Sequence, residues 1–282
     1  MNTFVLAPTT LPEVAPLEYI DAAIHAGYDA VGLRLHKSPG LPFHPVVGNA
    51  PLIGEIKAML KGANLPVFDV FSCYLEPETK MSDFTASLAL GAELGGKYII
   101  AMGNDPDFSR MRDNFGSFCD EAARFNLIPT VEFVPTRPLC TMEMTIRMIR
   151  ETGDRGTICL DPLHFTRTGG SGAEIKSYGA KYFPYTQLND GVLFPGEPNP
   201  AHFGKMPMGQ RKMIGEGDVP LYEYFDALPA NLPLSVEITV DLGAELRDVK
   251  QQPYSPREWA KVALKNARDY MEGYHASRKA PR

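Results

Sequence analysis

Short apolar runs alternate with amphipathic stretches along the whole chain. Eight runs have strand length: Thr3–Ala7, Ala30–Leu35, Pro66–Tyr74, Tyr98–Met102, Leu127–Val134, Thr157–Leu160, Tyr182–Leu188 and Leu234–Ile238. Each is followed by a stretch with helical patterning: Pro16–Ala26, Pro51–Gly62, Asp83–Leu94, Phe108–Phe125, Thr141–Glu151, Ala173–Gly179, Leu221–Leu228 and Pro256–Tyr274. Strict alternation of this kind predicts a parallel sheet with helical crossovers. Eight units in 282 residues fit one closed (β/α)8 barrel, a single domain over residues 1–282.

Turn residues support these boundaries. Gly27 follows the first helix and Gly95 the third, at the position where a helix commonly ends in a left-handed residue. Pro66 and Pro129 stand at strand starts, where a missing N–H is tolerated. The segment from Asn189 to Val219 is long and rich in Gly and Pro, and long loops in compact domains usually carry function. It follows the seventh strand, so it belongs on the face where barrel enzymes place their sites.

Four polar residues fall at the ends of successive strands: Glu132, Asp161, Gln187 and Glu237. A lone carboxylate in such a place is ordinarily a helix cap or an ion-pair partner, and Asp161-Pro162 has the form of an N-cap followed by Pro in the first turn. Four oxygen donors in step point instead to one divalent cation at the barrel mouth, because buried carboxylates need a counter-charge. Oxygen-only ligation suits Mg or Mn better than Zn. Such an ion can hold adjacent oxygens of a hydroxy-carbonyl compound and stabilise an enediolate while a neighbouring carboxylate moves the proton.

Other polar side chains fall on the same predicted face. His164 lies three residues after Asp161, placed to bond a substrate oxygen or assist proton transfer. Arg34, His36, Arg137, Arg167, His202, Arg211 and Lys212 are in loops or strand ends where guanidinium forks could meet a carboxylate or phosphate. Arg34 stands out because its strand is otherwise apolar. Asp190 is read either as an orienting group near the substrate or as a loop cap. Phe71, Tyr74, Phe165, Phe194 and Phe203 are candidates for an apolar wall or for ordinary packing.

Composition narrows the partners. A net charge of −6 and a pI near 5.6 lack the basic balance of a nucleic-acid binder. No apolar run approaches the ~20 residues of a membrane span, and the N-terminus reads without a secretion signal. Cys73, Cys119, Cys140 and Cys159 form no C-x-x-C pair and read as reduced thiols of a cytoplasmic protein.

These motifs together resemble the xylose isomerase-like TIM barrels, the sugar phosphate isomerase/epimerase and AP endonuclease family 2 group. Val131-Glu132-Phe133-Val134-Pro135 is similar to that family's fifth strand, and Leu160-Asp161-Pro162-Leu163-His164-Phe165 to its Asp-x-x-His motif. Tyr185-Thr186-Gln187-Leu188-Asn189-Asp190 resembles the seventh strand, Gly215-Glu216-Gly217-Asp218 the turn beyond it, and Ser235-Val236-Glu237-Ile238 the last metal-binding strand. The resemblance implies one divalent metal on Glu132, Asp161, Gln187 and Glu237, an acid/base pair in Glu132 and Glu237, and substrate contact by His164. Gln187, where many members carry His, tilts the likeness towards hydroxypyruvate isomerase-like enzymes. Arg34, where many carry Glu, and Asp69, where His is common, depart from the pattern and set substrate identity apart.

The expectation is a metal-dependent isomerase or epimerase of a small sugar-derived compound. The rival is a dehydratase of the inosose or dehydroshikimate type, which the departures at Arg34 and Asp69 keep open. A metal-free binding subunit is disfavoured by the four oxygen donors, and an endonuclease by six histidines and the acidic balance. Homo-oligomerisation is compatible with such a barrel, and no sequence stripe specifies it.

Overall fold

A computed structural model describes residues 2–193, 211–238 and 253–279. Eight parallel strands close into a barrel: β1 (Phe4–Leu6), β2 (Ala30–Arg34), β3 (Val67–Leu75), β4 (Tyr98–Gly103), β5 (Ile128–Glu132), β6 (Thr157–Leu160), β7 (Tyr185–Leu188) and β10 (Leu234–Val236). Their order around the ring is β1-β10-β7-β6-β5-β4-β3-β2, so neighbours in sequence are neighbours in space and β1 meets β10 to close the ring. Two further strands, β8 (Asp190–Gly191) and β9 (Arg211–Lys212), pair antiparallel as a small ribbon outside the barrel.

The helices behave as their sequences predict. α1 (Pro16–Ala26) begins with Pro in its first turn and ends at Gly27, whose φ of 84° is left-handed. α2 (Ala50–Ala63) is capped by the Asn49 side chain and stopped by Asn64 at φ 51°. α3 (Ser82–Glu93), α4 (Phe108–Ala123) and α5 (Met142–Glu151) follow their strands in turn. In α9 (Pro256–Lys279), Trp259, Ala260, Ala263, Leu264, Ala267 and Met271 form one buried stripe, which covers an apolar face along most of this long helix.

The sixth unit differs from expectation. A short helix, α6 (Pro162–Arg167), comes straight after β6, and α7 (Gly172–Tyr178) follows it. One turn and a half is too short to show a hydrophobic period, and its signal is the Asp161 cap itself, whose carboxylate accepts from the His164 N–H at 2.8 Å. β7 starts at Tyr185 because Ala180–Tyr182 is a 3-10 turn, and α8 is confined to Leu221–Phe225. The four cysteines are free thiols. No described helix is long and apolar enough to cross a membrane.

The barrel interior is filled by side chains. Phe68, Tyr98 and Tyr185, at or near the starts of β3, β4 and β7, meet in a triangle of rings with centroids 5.0–5.2 Å apart. Phe71, Tyr74, Ile100, Met102, Val134 and Cys159 complete that cluster. Asp69 is also buried, and its Oδ1 meets no hydrogen-bond partner. Gly32 on β2 makes room for it: a Cβ there would stand 2.3 Å from Asp69 Oδ1 and 2.9 Å from Pro8 Cδ.

Two outcomes follow from this interior. Gly32→Ala should destabilise the fold by about 1–3 kcal/mol through overpacking, read as an earlier denaturant midpoint; an unchanged midpoint would show that the Asp69 side chain can move aside. Burial, reinforced by the Glu237 charge, pushes the Asp69 carboxyl up to about 7. The folded state therefore holds this proton more tightly than the unfolded chain, and the contribution to stability is lost as pH rises from about 4 through about 7. In chelator, the melting temperature of Asp69→Asn should rise relative to the native protein from pH ~4 to ~7 and the difference should level off above that. A constant difference would show that the carboxyl is ionised throughout.

Candidate active site

The C-terminal ends of β5, β6, β7 and β10 are consecutive in the ring, and this arc gathers the candidate residues. Glu132 is the last residue of β5, Asp161 follows β6, Gln187 lies within β7, and Glu237 follows β10. Register aligns them: Gln187 is level with Ser235, one residue before the end of β10. All four side chains are buried, as is His164 in the first turn of α6. Glu132, Asp161 and His164 each offer a ligand atom within 4.8 Å of the others, a candidate metal site.

The donors around this cluster are unequal. Arg211 Nη2 stands 2.7 Å from Asp161 Oδ2 and 3.0 Å from Glu237 Oε2, so a guanidinium bridges two carboxylates. Asn189 Nδ2 donates to the same two oxygens at 3.0 and 3.3 Å. Thr9 Oγ1, from the turn after β1, donates to Glu237 Oε1 at 2.5 Å. With its nitrogen turned inward, the Gln187 amide donates to Asp161 Oδ2 at 3.0 Å and Glu237 Oε2 at 3.2 Å; with its oxygen turned inward it offers a ligand atom instead. Glu132 Oε2, by contrast, is buried without a hydrogen-bond partner.

Charge follows from these contacts. Burial drives the Glu132 carboxyl well above the usual carboxylate range, and the nearby Glu237 and Asp161 add to it. Burial also raises Glu237, with Arg211 opposing. Asp161 goes the other way: burial would raise it, but the Arg211 guanidinium and His164 together hold it low. Burial pulls the His164 imidazole down to about 4, so the ring is neutral near pH 7. Its Nε2 lies 3.5 Å from Asp161 Oδ2 and 3.9 Å from Glu132 Oε1.

The residues fit a divalent cation. Three carboxyl groups face one another with one guanidinium among them, Glu132 Oε2 is orphaned, and Arg211 Nη2 already holds a positive charge between two of the expected ligands. Glu132, Asp161, Gln187 and Glu237 would hold the ion, with His164 at the edge of the same group.

Other sequence candidates fall elsewhere. His36 Nδ1 is 3.4 Å from Ser87 Oγ and its ring packs edge-on against Phe84 of α3, away from the carboxylates. Asp190 is the loop cap rather than a group facing the cluster. Its two oxygens accept main-chain N–H groups of Gly191, Gly215, Gly217 and Val219 at 2.8–3.2 Å, so the Gly215-Glu216-Gly217 turn spends two of its own amides on Asp190. Arg167 is fully buried and donates to the Val192 carbonyl at 3.0 Å, tying α6 to the chain after β8. Phe165 packs on Phe133 and Tyr224. Phe194, His202 and Phe203 lie outside the described residues. Thr9 and Asn189 were not singled out by the sequence, since hydroxyl and amide donors at strand ends carry no periodicity.

Comparison with known proteins bears on the fold. No curated protein matches the sequence. The IolI protein, solved with a bound zinc atom, superposes with a TM-score of 0.74 at 16% identity, covering 96% of this chain and 99% of that one. A D-allulose 3-epimerase from Methylomonas sp., solved with D-allulose, gives 0.69 at 15% identity over 95% and 96% of the two chains. The probable 3-DHS dehydratase AsbF from Bacillus anthracis gives 0.68 at 14% identity over 95% and 99%. These likenesses concern the fold. A family model described as the xylose isomerase-like TIM barrel matches residues 20–265, and the chain belongs to that family.

Proposed function

We propose that this chain is a divalent-metal-dependent isomerase or epimerase of a small, sugar-derived hydroxy-carbonyl compound. The observation that carries the reading is the bridged carboxylate cluster: Glu132, Asp161 and Glu237 buried at one rim with, among the described residues, a single guanidinium between them. When bound, a divalent ion, Mn or Mg by the oxygen donors, supplies a Lewis acid that polarises a carbonyl and its adjacent hydroxyl.

The chain's own residues supply the proton chemistry. Glu132 Oε2 has no hydrogen-bond partner among the described residues; ionised beside a bound cation, whose charge would offset the burial that raises its carboxyl, it would take the α-proton. Glu237 comes from the far end of the same arc of strands, where Thr9 and Asn189 fix its orientation, and it returns a proton to the neighbouring carbon or the opposite face. The neutral His164 ring beside Asp161 and Glu132 orients substrate oxygen without adding charge. Burial of the whole group excludes water, which strengthens each electrostatic contact.

The fold also hosts a probable dehydratase among its solved members. Removal of the same α-proton leads to elimination if a leaving hydroxyl takes up the second proton, and the products tell the two apart.

The first test is metal content. The native protein should bind about one Mn or Mg per chain with a rise in melting temperature, and Asp161→Asn should abolish both. Arg211→Met should melt earlier in chelator, because two buried carboxylates lose their cation, and should bind Mn more tightly than the native protein. A native protein that takes up no metal would overturn the reading. The second test is exchange. Metal-loaded protein in deuterated water should label the α-carbon of small ketoses or hydroxy-keto acids, and Glu132→Gln should slow that labelling by about 10²–10⁴-fold. Undiminished labelling in Glu132→Gln would remove this residue from the chemistry, and a product lighter by water would favour the dehydratase.

A further inference from the structure

The wall facing the carboxylates carries the opposite charge. In the ring order β2 lies across from β6, and β3 across from β7. Arg34 ends β2 on that facing side, and Arg137 reaches across to β3 from the loop between β5 and α5, on the carboxylate side of the ring. Each guanidinium covers an aromatic ring of β3: Arg34 Cζ is 5.8 Å from the Phe71 centroid, and Arg137 Cζ is 5.4 Å from that of Tyr74.

Arg34 is held in a definite orientation. Its Nη1 donates to the carbonyls of Pro12 at 3.2 Å and Pro42 at 3.0 Å. Those bonds leave the Nε–Nη2 edge over, and both nitrogens are shut from solvent without a hydrogen-bond partner. Arg137 is similar: Nη1 reaches Asn104 Oδ1 at 3.4 Å, and Nε has no partner. Neither forms an ion pair among the described residues. One whole buried guanidinium edge on Arg34 and a buried Nε on Arg137, all without acceptors, are costly unless a ligand supplies the missing oxygens. The Nε–Nη2 edge presents two parallel N–H groups spaced for the two oxygens of a carboxylate.

This wall shares the mouth with the cluster. The charge of Glu237 reaches Arg34, and Tyr74 lies within electrostatic range of Arg34, Arg137 and Glu132. Arg34 also lines a cleft with Pro8, Pro12, Leu33 and Pro42, whose apolar walls leave the guanidinium poorly screened.

We propose that Arg34, through its Nε–Nη2 edge, with Arg137 beside it, seats a carboxylate of the substrate, so that the substrate is a keto acid or sugar acid and not a neutral ketose. This deepens the isomerase reading and rests on it. It also gives Arg34, a departure from the family pattern, the task of selecting substrate.

Calorimetric titration of the full chain, Mn-loaded and in chelator, with D-glycerate, glycerol 3-phosphate and glycerol tests the proposal. The native protein should bind D-glycerate about 10- to 100-fold more tightly than glycerol in both states. Arg34→Met should lose that preference while keeping its melting temperature and Mn affinity, and Arg34→Lys should recover part of it. Should Arg34→Met fail to fold, Arg34→Gln and Arg137→Met carry the comparison. An equal affinity for glycerol, or a preference unchanged by the Arg34 variants, would overturn the seat. Tighter binding of glycerol 3-phosphate than of D-glycerate would overturn the carboxylate assignment. Mn binding is read separately: its absence with the anion preference intact would sink the isomerase reading and leave the Arg34 seat standing.

Discussion

Three carboxyl groups held out of water around one guanidinium make a local debt of positive charge. A carboxylate removed from water is costly unless a cation or several N–H and O–H donors attend it. The structure meets part of that need with Arg211, Asn189 and Thr9, all gathered on Asp161 and Glu237. Glu132 is left with almost none. That asymmetry leaves Glu132 without a counter-charge of its own among the described residues, and it separates two glutamates that the sequence alone presents as equals.

The barrel makes the crowding geometrically inevitable. Parallel strands all end on one side, and closure between β1 and β10 turns a row of strand ends into a ring. Each of Glu132, Asp161, Gln187 and Glu237 comes from a different strand or strand end, so no local segment could form the cluster alone. Below it, the Phe68, Tyr98 and Tyr185 rings fill the barrel, leaving the polar chemistry confined to the rim. Asp69 is the exception, a carboxyl within the interior for which Gly32 leaves space.

Most of the fold was legible because alternation of apolar runs and helical stripes is a long-range regularity, repeated eight times. The strand-end carboxylates were legible for a related reason: their positions repeat in phase with the strands. What escaped had no period. α6 is six residues long, marked only by its Asp161 cap and the Pro162 that follows it. Thr9 and Asn189 are ordinary polar residues until folding brings them within 3.3 Å of Glu237. His36 could not be aimed from sequence, because strand alternation stops at Arg34 and nothing beyond it says which way the next side chains turn. Asp190 was open between two roles, and only the four amides converging on its carboxylate decide for the cap.

The ribbon of β8 and β9 joins that cap to the active rim. Asp190 sits opposite Lys212, and Gly191 opposite Arg211, so the residue that clamps the Gly215–Gly217 turn and the residue that bridges the carboxylates are fixed by the same pair of strands. Nineteen residues of sequence, 192–210, separate the two strands. A change that displaces either strand of this ribbon therefore moves two things at once, the clamp on the Gly215–Gly217 turn and the guanidinium between Asp161 and Glu237, so the shape of the outer loop and the charge balance of the rim are coupled through four residues.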